Sequence, residues 1–206
     1  MDTRLLNQKE LPDKELVRLF LENKEEDAFD EIVNRYADKV YRLAIRILGN
    51  QSDAEEVLQE VFQTIVERLD TLRQRSKFST WLYGVAFKAS CRHIGARKKC
   101  DGDVSLDDYV PYDDYGRLQR VAIKDWSYIP EELINFDEIL ELIENLVSEL
   151  PISYRIVFHL RDVERLSDHE IKEVLGLSLS VVKSRIHRSR LFLRDRMLEY
   201  FMEPSK

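Results

Sequence analysis

Apolar residues recur every three to four positions along most of this 206-residue chain, and no stretch alternates with the period of a strand. The pattern predicts an all-α protein. Residues 13–22, DKELVRLFLE, predict a short amphipathic helix. Phe29, Ile32, Val33, Tyr36, Val40, Leu43, Ala44 and Ile47 predict one long helix over about 26–48, which Gly49 and Asn50 end. SDAE at 52–55 has the form of a capping box, with Ser52 and Glu55 satisfying each other's amides. The helix it opens would bury Val57, Leu58, Val61, Phe62, Ile65, Val66 and Leu69. After the loop DTLRQRSK, a fourth helix covers about 78–98. Phe78, Trp81, Tyr83 and Phe87 cannot all point one way on it, and Trp81 and Phe87 are assigned to the core.

The periodicity lapses from Asp101 to about Pro130, where acids, Gly, Pro and aromatics follow no repeat, which predicts an acidic, flexible linker. It returns at Glu131, with Ile134, Phe136, Ile139, Leu142, Ile143 and Leu146, and Pro151 opens a further helix. LSDHEIKEVLGLSLSVVKSRIHRSR then has the grammar of a helix-turn-helix. SDHE at 167–170 is a second capping box, Gly176 fits a tight turn, and Ser178 is a suitable N-cap for the last helix. Ile171, Val174, Leu175, Leu177, Val182 and Ile186 would pack the two helices together, leaving Lys183, Ser184, His187 and Arg188 outward. A helix of that kind fits the major groove of duplex DNA; an ordinary hairpin with a basic face is the alternative.

Charge sharpens this picture, although the total of -7 hides it. Residues 1–72 carry ten Lys/Arg and seventeen Asp/Glu, whereas residues 73–100 carry eight Lys/Arg and no acid. Residues 101–150 carry three bases and fourteen acids, and residues 151–206 eleven bases and eight acids. Two cationic regions thus flank an anionic one. Phosphate backbone is the partner such regions suit, and solvated helix faces are the plainer reading. Aromatics interleaved with Lys88 and Arg92 would also suit stacking on unpaired bases.

With 44% hydrophobic and 34% charged residues, the chain reads as a soluble globular protein of one or two domains. No apolar run approaches the ~20 residues of a membrane span, and the first residues lack a signal-peptide pattern. Two cysteines, Cys91 and Cys100, suit a reducing cytoplasm. Nothing in the chain predicts an enzyme. His93, His159, His169 and His187 are dispersed, and neither a phosphate-binding loop nor a nucleophile elbow is present. Cys91, His93 and Cys100 lack a fourth zinc ligand at a standard spacing. No catalytic residue, metal, cofactor or small-molecule substrate is expected.

The blocks AFDEIVNRYADKVYRLAIRILGNQSDAEEVLQEVF and FSTWLYGVA resemble region 2 of the extracytoplasmic-function (ECF) sigma factors, a class of bacterial RNA polymerase sigma subunits in the sigma-70 family. LPISYRIVFHLRDVERLSDHEIKEVLGLSLSVVKSRIHRSR is similar to their region 4. The resemblance runs from about Asp27 to Tyr200. It implies two small helical domains: region 2 over 1–100, an acidic linker over 101–130, and region 4 over 131–206.

The same resemblance implies roles. Asp53, Glu56, Gln59, Glu60 and Phe62 would dock on core RNA polymerase, giving the acidic helix a cationic partner. Arg73, Arg75, Lys77, Phe78, Ser79, Thr80, Trp81, Tyr83, Lys88 and Arg92 would recognise and hold the melted -10 element. Lys183, Ser184, Arg185, His187 and Arg188 would read the -35 element as duplex. The linker would thread through the polymerase as an anionic mimic of nucleic acid, or serve as a tether. An anti-sigma factor is implied as inhibitor, with the free domains packed on each other or on that inhibitor. Family members often carry Arg and Asn where this chain has Gly84 and Lys88, a small Ala at Lys172, and Thr at Val181. The expected function is therefore an alternative, cytoplasmic sigma factor that directs promoter-specific initiation. The alternative is a plain helix-turn-helix regulator with an unrelated N-terminal sensor domain, against which the acidic helix and the acid-free aromatic helix over 53–92 argue.

Overall fold

Eight α-helices, a 3-10 turn at Leu69–Thr71 and a π-helical turn account for the regular structure of the described residues, which are 9–72, 77–95 and 136–202 of a computed structural model; no strand occurs among them. In chain order they are α1 (Asp13–Asn23), α2 (Glu26–Leu48), α3 (Gln51–Arg68), α4 (Phe78–Gly95), α5 (Phe136–Glu149), α6 (Ile152–Phe158), α7 (Asp168–Leu175) and α8 (Leu179–Met202). Arg73, Arg75, Cys100 and the expected linker lie outside the described residues. No helix among the described residues is long and apolar enough to cross a membrane.

The helix ends follow local chemistry. Lys24 and Gly49 take left-handed φ values of 54° and 66° and close α1 and α2. The expected capping box at Ser52 and Glu55 does not form. The Asn50 side chain instead accepts from the Asp53 amide at 3.2 Å, so α3 starts one position before Ser52. The second box does form: Ser167 and Glu170 satisfy each other's backbone amides, and Gly176 at φ 68° makes the turn. The Ser178 hydroxyl accepts from the Val181 amide at 3.3 Å, as an N-cap for α8 should. After α6 the chain widens into a π-helical turn, His159–Val163, and Arg165 then adopts φ 58°. The sequence period gives no sign of that turn.

Among the described residues the expected apolar faces are buried or partly buried, with two corrections; Ile134 and the Phe136 side chain lie outside them. Val66 is 52% exposed, because it follows Ile65 around the helix and leaves the stripe. Phe78 and Tyr83, at 4% and 2% exposure, are the deeply buried aromatics of α4, while Trp81 and Phe87 are only partly buried against the core. α1 is tied to α2 by the Tyr36 hydroxyl donating to Asp13, and by Arg35 reaching Asp13 at 3.1 Å and the Leu11 carbonyl at 2.7 Å.

One hydrophobic core runs through both halves of the chain. Leu16, Ile32, Val40, Val57, Val61 and Leu82 from the first half share it with Ile156, Leu160, Leu166, Ile171, Val174 and Val182 from the second. A smaller cluster holds α5, α6 and α8 together through Leu146, Val147, Leu150, Tyr154, Phe192 and Leu193. α4 therefore packs along α7, and the end of α2 along α6.

Candidate polymerase and nucleic-acid interfaces

Three surfaces carry the expected residues. On α3, Glu56 and Gln59 are exposed, Asp53 and Glu60 half-buried. Phe62 is partly buried, edge-on to Phe29 at 6.3 Å between ring centres, so it supports this face more than it projects from it. The acidic face meets two bases of α4: the Arg92 guanidinium donates to Glu60, and His93 lies 3.7 Å from it. Asp53, Glu56 and His93 bring potential ligand atoms within 4.8 Å of one another, a cluster the sequence hides because it joins two helices. Two of its three members are carboxylates on an acidic surface, and exposed acidic groups are common without a metal.

On α4, the expected -10 residues divide by exposure. Lys88 and Arg92 are exposed and, with Phe87, Cys91 and Gly95, line an open groove of about 600 Å³ that is mostly apolar with a cationic rim. Lys77 is exposed, Ser79 and Trp81 half-buried. Trp81 lies against the Phe78 ring at 6.2 Å. Phe78, Thr80 and Tyr83 are buried instead, Phe78 edge-on to the Tyr36 ring at 5.3 Å and the other two facing the second half of the chain. Lys77 Nζ pairs with Glu170 Oε1 at 2.9 Å, the Thr80 hydroxyl donates to the same oxygen at 3.4 Å, and the Tyr83 hydroxyl donates to Glu164. Burial, followed by the Glu164 contact, pushes the Tyr83 phenol well above its ordinary range. Burial works against ionisation of Glu170, yet hydrogen bonds from Ser167 and Lys77 hold its carboxyl at about 2.

His159 lies beneath this contact, fully buried, with Glu164 Oε1 3.6 Å from Nε2. Neither ring nitrogen meets a hydrogen-bond partner among the described residues. Burial first, then Arg46 and Arg42, hold its pKa down to about 3, so the imidazole is neutral near pH 7 despite the adjacent carboxylate.

On α8 the cations sort into two sets. Lys183 and His187 are exposed, and Ser184, Arg185 and Arg188 half-buried, on the outward side of the helix-turn-helix. Arg185 lies over the Tyr154 ring at 5.8 Å, and Arg188 Nη1 donates to the Tyr154 hydroxyl at 3.4 Å. The remaining cations are bound internally: Arg190 by Asp162 at 2.5 Å, Arg194 by Asp195 at 2.9 Å, and Arg196 by Glu199 at 3.0 Å. Tyr154 is thus a positioning residue the sequence did not single out; an aromatic in α6 reads simply as core.

Two family models match the chain: Sigma-70 region 2 over residues 32–100 and Sigma-70, region 4 over residues 140–193. The ECF RNA polymerase sigma factor SigW of Bacillus subtilis (strain 168) is 35% identical over 173 residues, covering 84% of this chain and 90% of its own. The chain belongs to the ECF sigma factors of the sigma-70 family. Its fold is that of CnrH in complex with the cytosolic domain of CnrY, with a TM-score of 0.59 at 20% identity over 90% of this chain and 96% of that one. It is likewise that of the sigma factor RpoE in complex with the anti-sigma factor NepR from Bartonella quintana, with a TM-score of 0.56 at 17% identity over 81% and 94% of the two chains. An ECF sigma factor is an alternative RNA polymerase sigma subunit for transcription initiation, and this chain is one.

Proposed function

We propose that this sigma factor divides its work between region 2 over 1–100 and region 4 over 131–206, joined by the linker over 101–130. Asp53, Glu56, Gln59 and Glu60 dock on a cationic surface of core polymerase, with Phe62 bracing their helix. Lys77, Phe78, Ser79, Thr80, Trp81, Tyr83, Lys88 and Arg92, together with Arg73 and Arg75, take the melted -10 strand. Lys183, Arg185 and Arg188 hold the -35 duplex largely through phosphates, and Ser184 and His187 lie nearer its base edges. The chain supplies recognition and melting; the polymerase supplies the chemistry, so the chain itself is no catalyst. It acts in the cytoplasm and is held in check by an anti-sigma factor, the kind of partner that NepR is for RpoE.

The sorting of cations on α8 carries this reading. A merely solvated helix has no reason to neutralise Arg190, Arg194 and Arg196 internally while leaving Lys183 and His187 exposed beside two arginines braced on Tyr154. Run-off transcription with bacterial core polymerase on a library of promoter-length fragments tests it. Discrete transcripts that require this protein are expected. A shift of duplex DNA without polymerase, and no transcript, would replace it with a plain regulator.

A further inference from the structure

The acidic face of α3 meets a donor set that docking on a cationic partner does not require. Asp53 and Glu56 stand three residues apart on α3, which sets both carboxylates on one side of the helix. His93 reaches them from α4, and the potential ligand atoms of the three lie within 4.8 Å of one another. The imidazole separates this cluster from an ordinary acidic surface. Carboxylates alone suit hydrated Mg2+ or Ca2+, whereas a ring nitrogen among them suits Zn2+ and its first-row neighbours. The two ring nitrogens also have different neighbours: Nδ1 faces Glu56 Oε2 at 3.9 Å, and Nε2 faces Glu60 Oε2 at 3.7 Å. Both gaps are too long for a hydrogen bond. The first is close to the ~3.4 Å between two ligands of a tetrahedral zinc ion, whose bonds are about 2.0–2.2 Å. We propose that Asp53, Glu56 and His93 Nδ1 form a binding site for a divalent first-row transition ion of the Zn2+ type, with Glu60 accepting from Nε2–H behind the ring, and that an ion bound there competes with polymerase. The site stands on this geometry; the competition rests on the reading of α3 as the polymerase-docking helix.

Both helices hold their donors still. The Asn50 side chain accepts from the Asp53 amide at 3.2 Å and fixes the first turn of α3. Ala54 and Val57, next in sequence to the two carboxylates, are fully buried. So are Ala86 and Ala89, which share the face of α4 that carries His93, and all four belong to one core. Only side-chain torsions therefore need to close around an ion. Glu60 supplies what stands behind many metal-bound imidazoles: a carboxylate on the second ring nitrogen, which fixes the tautomer and raises the basicity of the ligating one. Arg92 donates to Glu60 and steadies it there. The Glu56 side chain is 64% exposed, so an ion enters straight from solvent, and three protein ligands leave a further position for water. Such an ion exchanges and reports its own concentration. Its two positive charges offset the two carboxylates and draw both toward the metal, away from a cationic partner. Asp53 and Glu56 cannot serve metal and polymerase at once, so the two ligands exclude each other.

Calorimetric titration of the full-length, chelator-stripped protein with Zn2+ tests the site. His93→Gln removes the imidazole and should weaken zinc binding by more than about tenfold, while Glu60→Gln, which leaves all three ligands, should weaken it by about tenfold. Glu60→Gln carries the test should His93→Gln fail to fold. Cys91→Ser should leave zinc affinity unchanged, and Co2+ bound in place of Zn2+ should show no sulfur-to-cobalt charge-transfer band, which separates this site from a thiolate one. Competition is read on its own, by titrating the fluorescently labelled chain with core polymerase. Saturating Zn2+ should weaken the wild type's affinity for core by about tenfold and leave that of His93→Gln unchanged. Equal zinc affinity in the wild type and the folded variants, or a thiolate band, overturns the site. Zinc-loaded wild type that binds core as tightly as the metal-free chain overturns the competition. Metal-free wild type that does not bind core overturns the docking reading, and the competition with it, while the calorimetry still decides the site.

Discussion

Arg185 lies over the ring of Tyr154, 5.8 Å from its centre, so the recognition helix is aimed by an aromatic from a different helix. The Tyr154 hydroxyl also accepts from Arg188, and its carbonyl accepts from the buried Ser189 hydroxyl at 3.4 Å. Three residues within about one turn of α8 therefore converge on one residue of α6. Tyr154→Phe keeps the ring and should weaken duplex binding less than threefold. Tyr154→Leu removes the ring and should weaken it about tenfold, consistent with cation–π contacts of about 0.5–2 kcal/mol. Binding isotherms on -35 duplex, read beside thermal unfolding, separate the lost aim from lost packing.

Arg188 and Arg194 predict different salt behaviour although both are arginines on α8. Arg188→Ala should lower the salt slope of promoter binding by about one, the signature of one phosphate contact. Arg194 is held by Asp195 at 2.9 Å, so Arg194→Ala should leave the slope unchanged. Affinity measured across a salt series checks both; an equal loss in the two variants would dissolve the distinction.

Glu60 sits at the meeting point of two surfaces, contacted by Arg92 and near His93. Glu60→Lys should abolish co-purification with core polymerase, because it reverses a charge at the centre of the acidic face. The helical circular dichroism should persist, since Glu60 is part of no core. A variant that still co-purifies would move the docking face elsewhere.

Acid should weaken the fold well before the carboxylates titrate. His159 has a folded pKa of about 3, against 6.5 for the free side chain. Between those values the unfolded chain binds a proton that the folded chain refuses, so stability falls as pH falls below about 6.5 and levels off only near 3. From pH 6.5 to 5 this amounts to about 2 kcal/mol at most. The groups facing the ring are Arg42, Arg46 and Glu164. Chemical denaturation at several pH values should show the slope in the wild type and its loss in His159→Phe.

Much of this was legible in the sequence, and the failures share a cause. The period of apolar residues located α1 to α4 because each buries a single continuous stripe. The Ser167–Glu170 box and Gly176 marked α7 because capping is a matter of three or four neighbouring residues. Errors arose where two local solutions competed. Asn50 and Ser52 both suit an N-cap, and nothing local says that Asn50 reaches the Asp53 amide first. Trp81 reads as core by its size, yet Tyr83 is the ring that region 4 covers. The contact between the two halves joins residues 81 and 90 positions apart, as in Tyr83 to Glu164 and Thr80 to Glu170. Charge pattern labelled α4 as a nucleic-acid surface and could not show that acids of the same chain were lying on it.

The shared core has a consequence for how such proteins diversify. A recombinant that takes its DNA-reading half from a relative, joined anywhere in residues 101–130, inherits only one side of the packing around Leu82, Tyr83, Leu160 and Ile171. The graft would carry the new promoter preference faithfully and lose the fit that closes the molecule. Swapping halves between paralogues would thus yield factors with a poorly filled core, unless α4 travels with the graft. The DNA-reading half and the packing of the first half are inherited together here, because one hydrophobic core spans both.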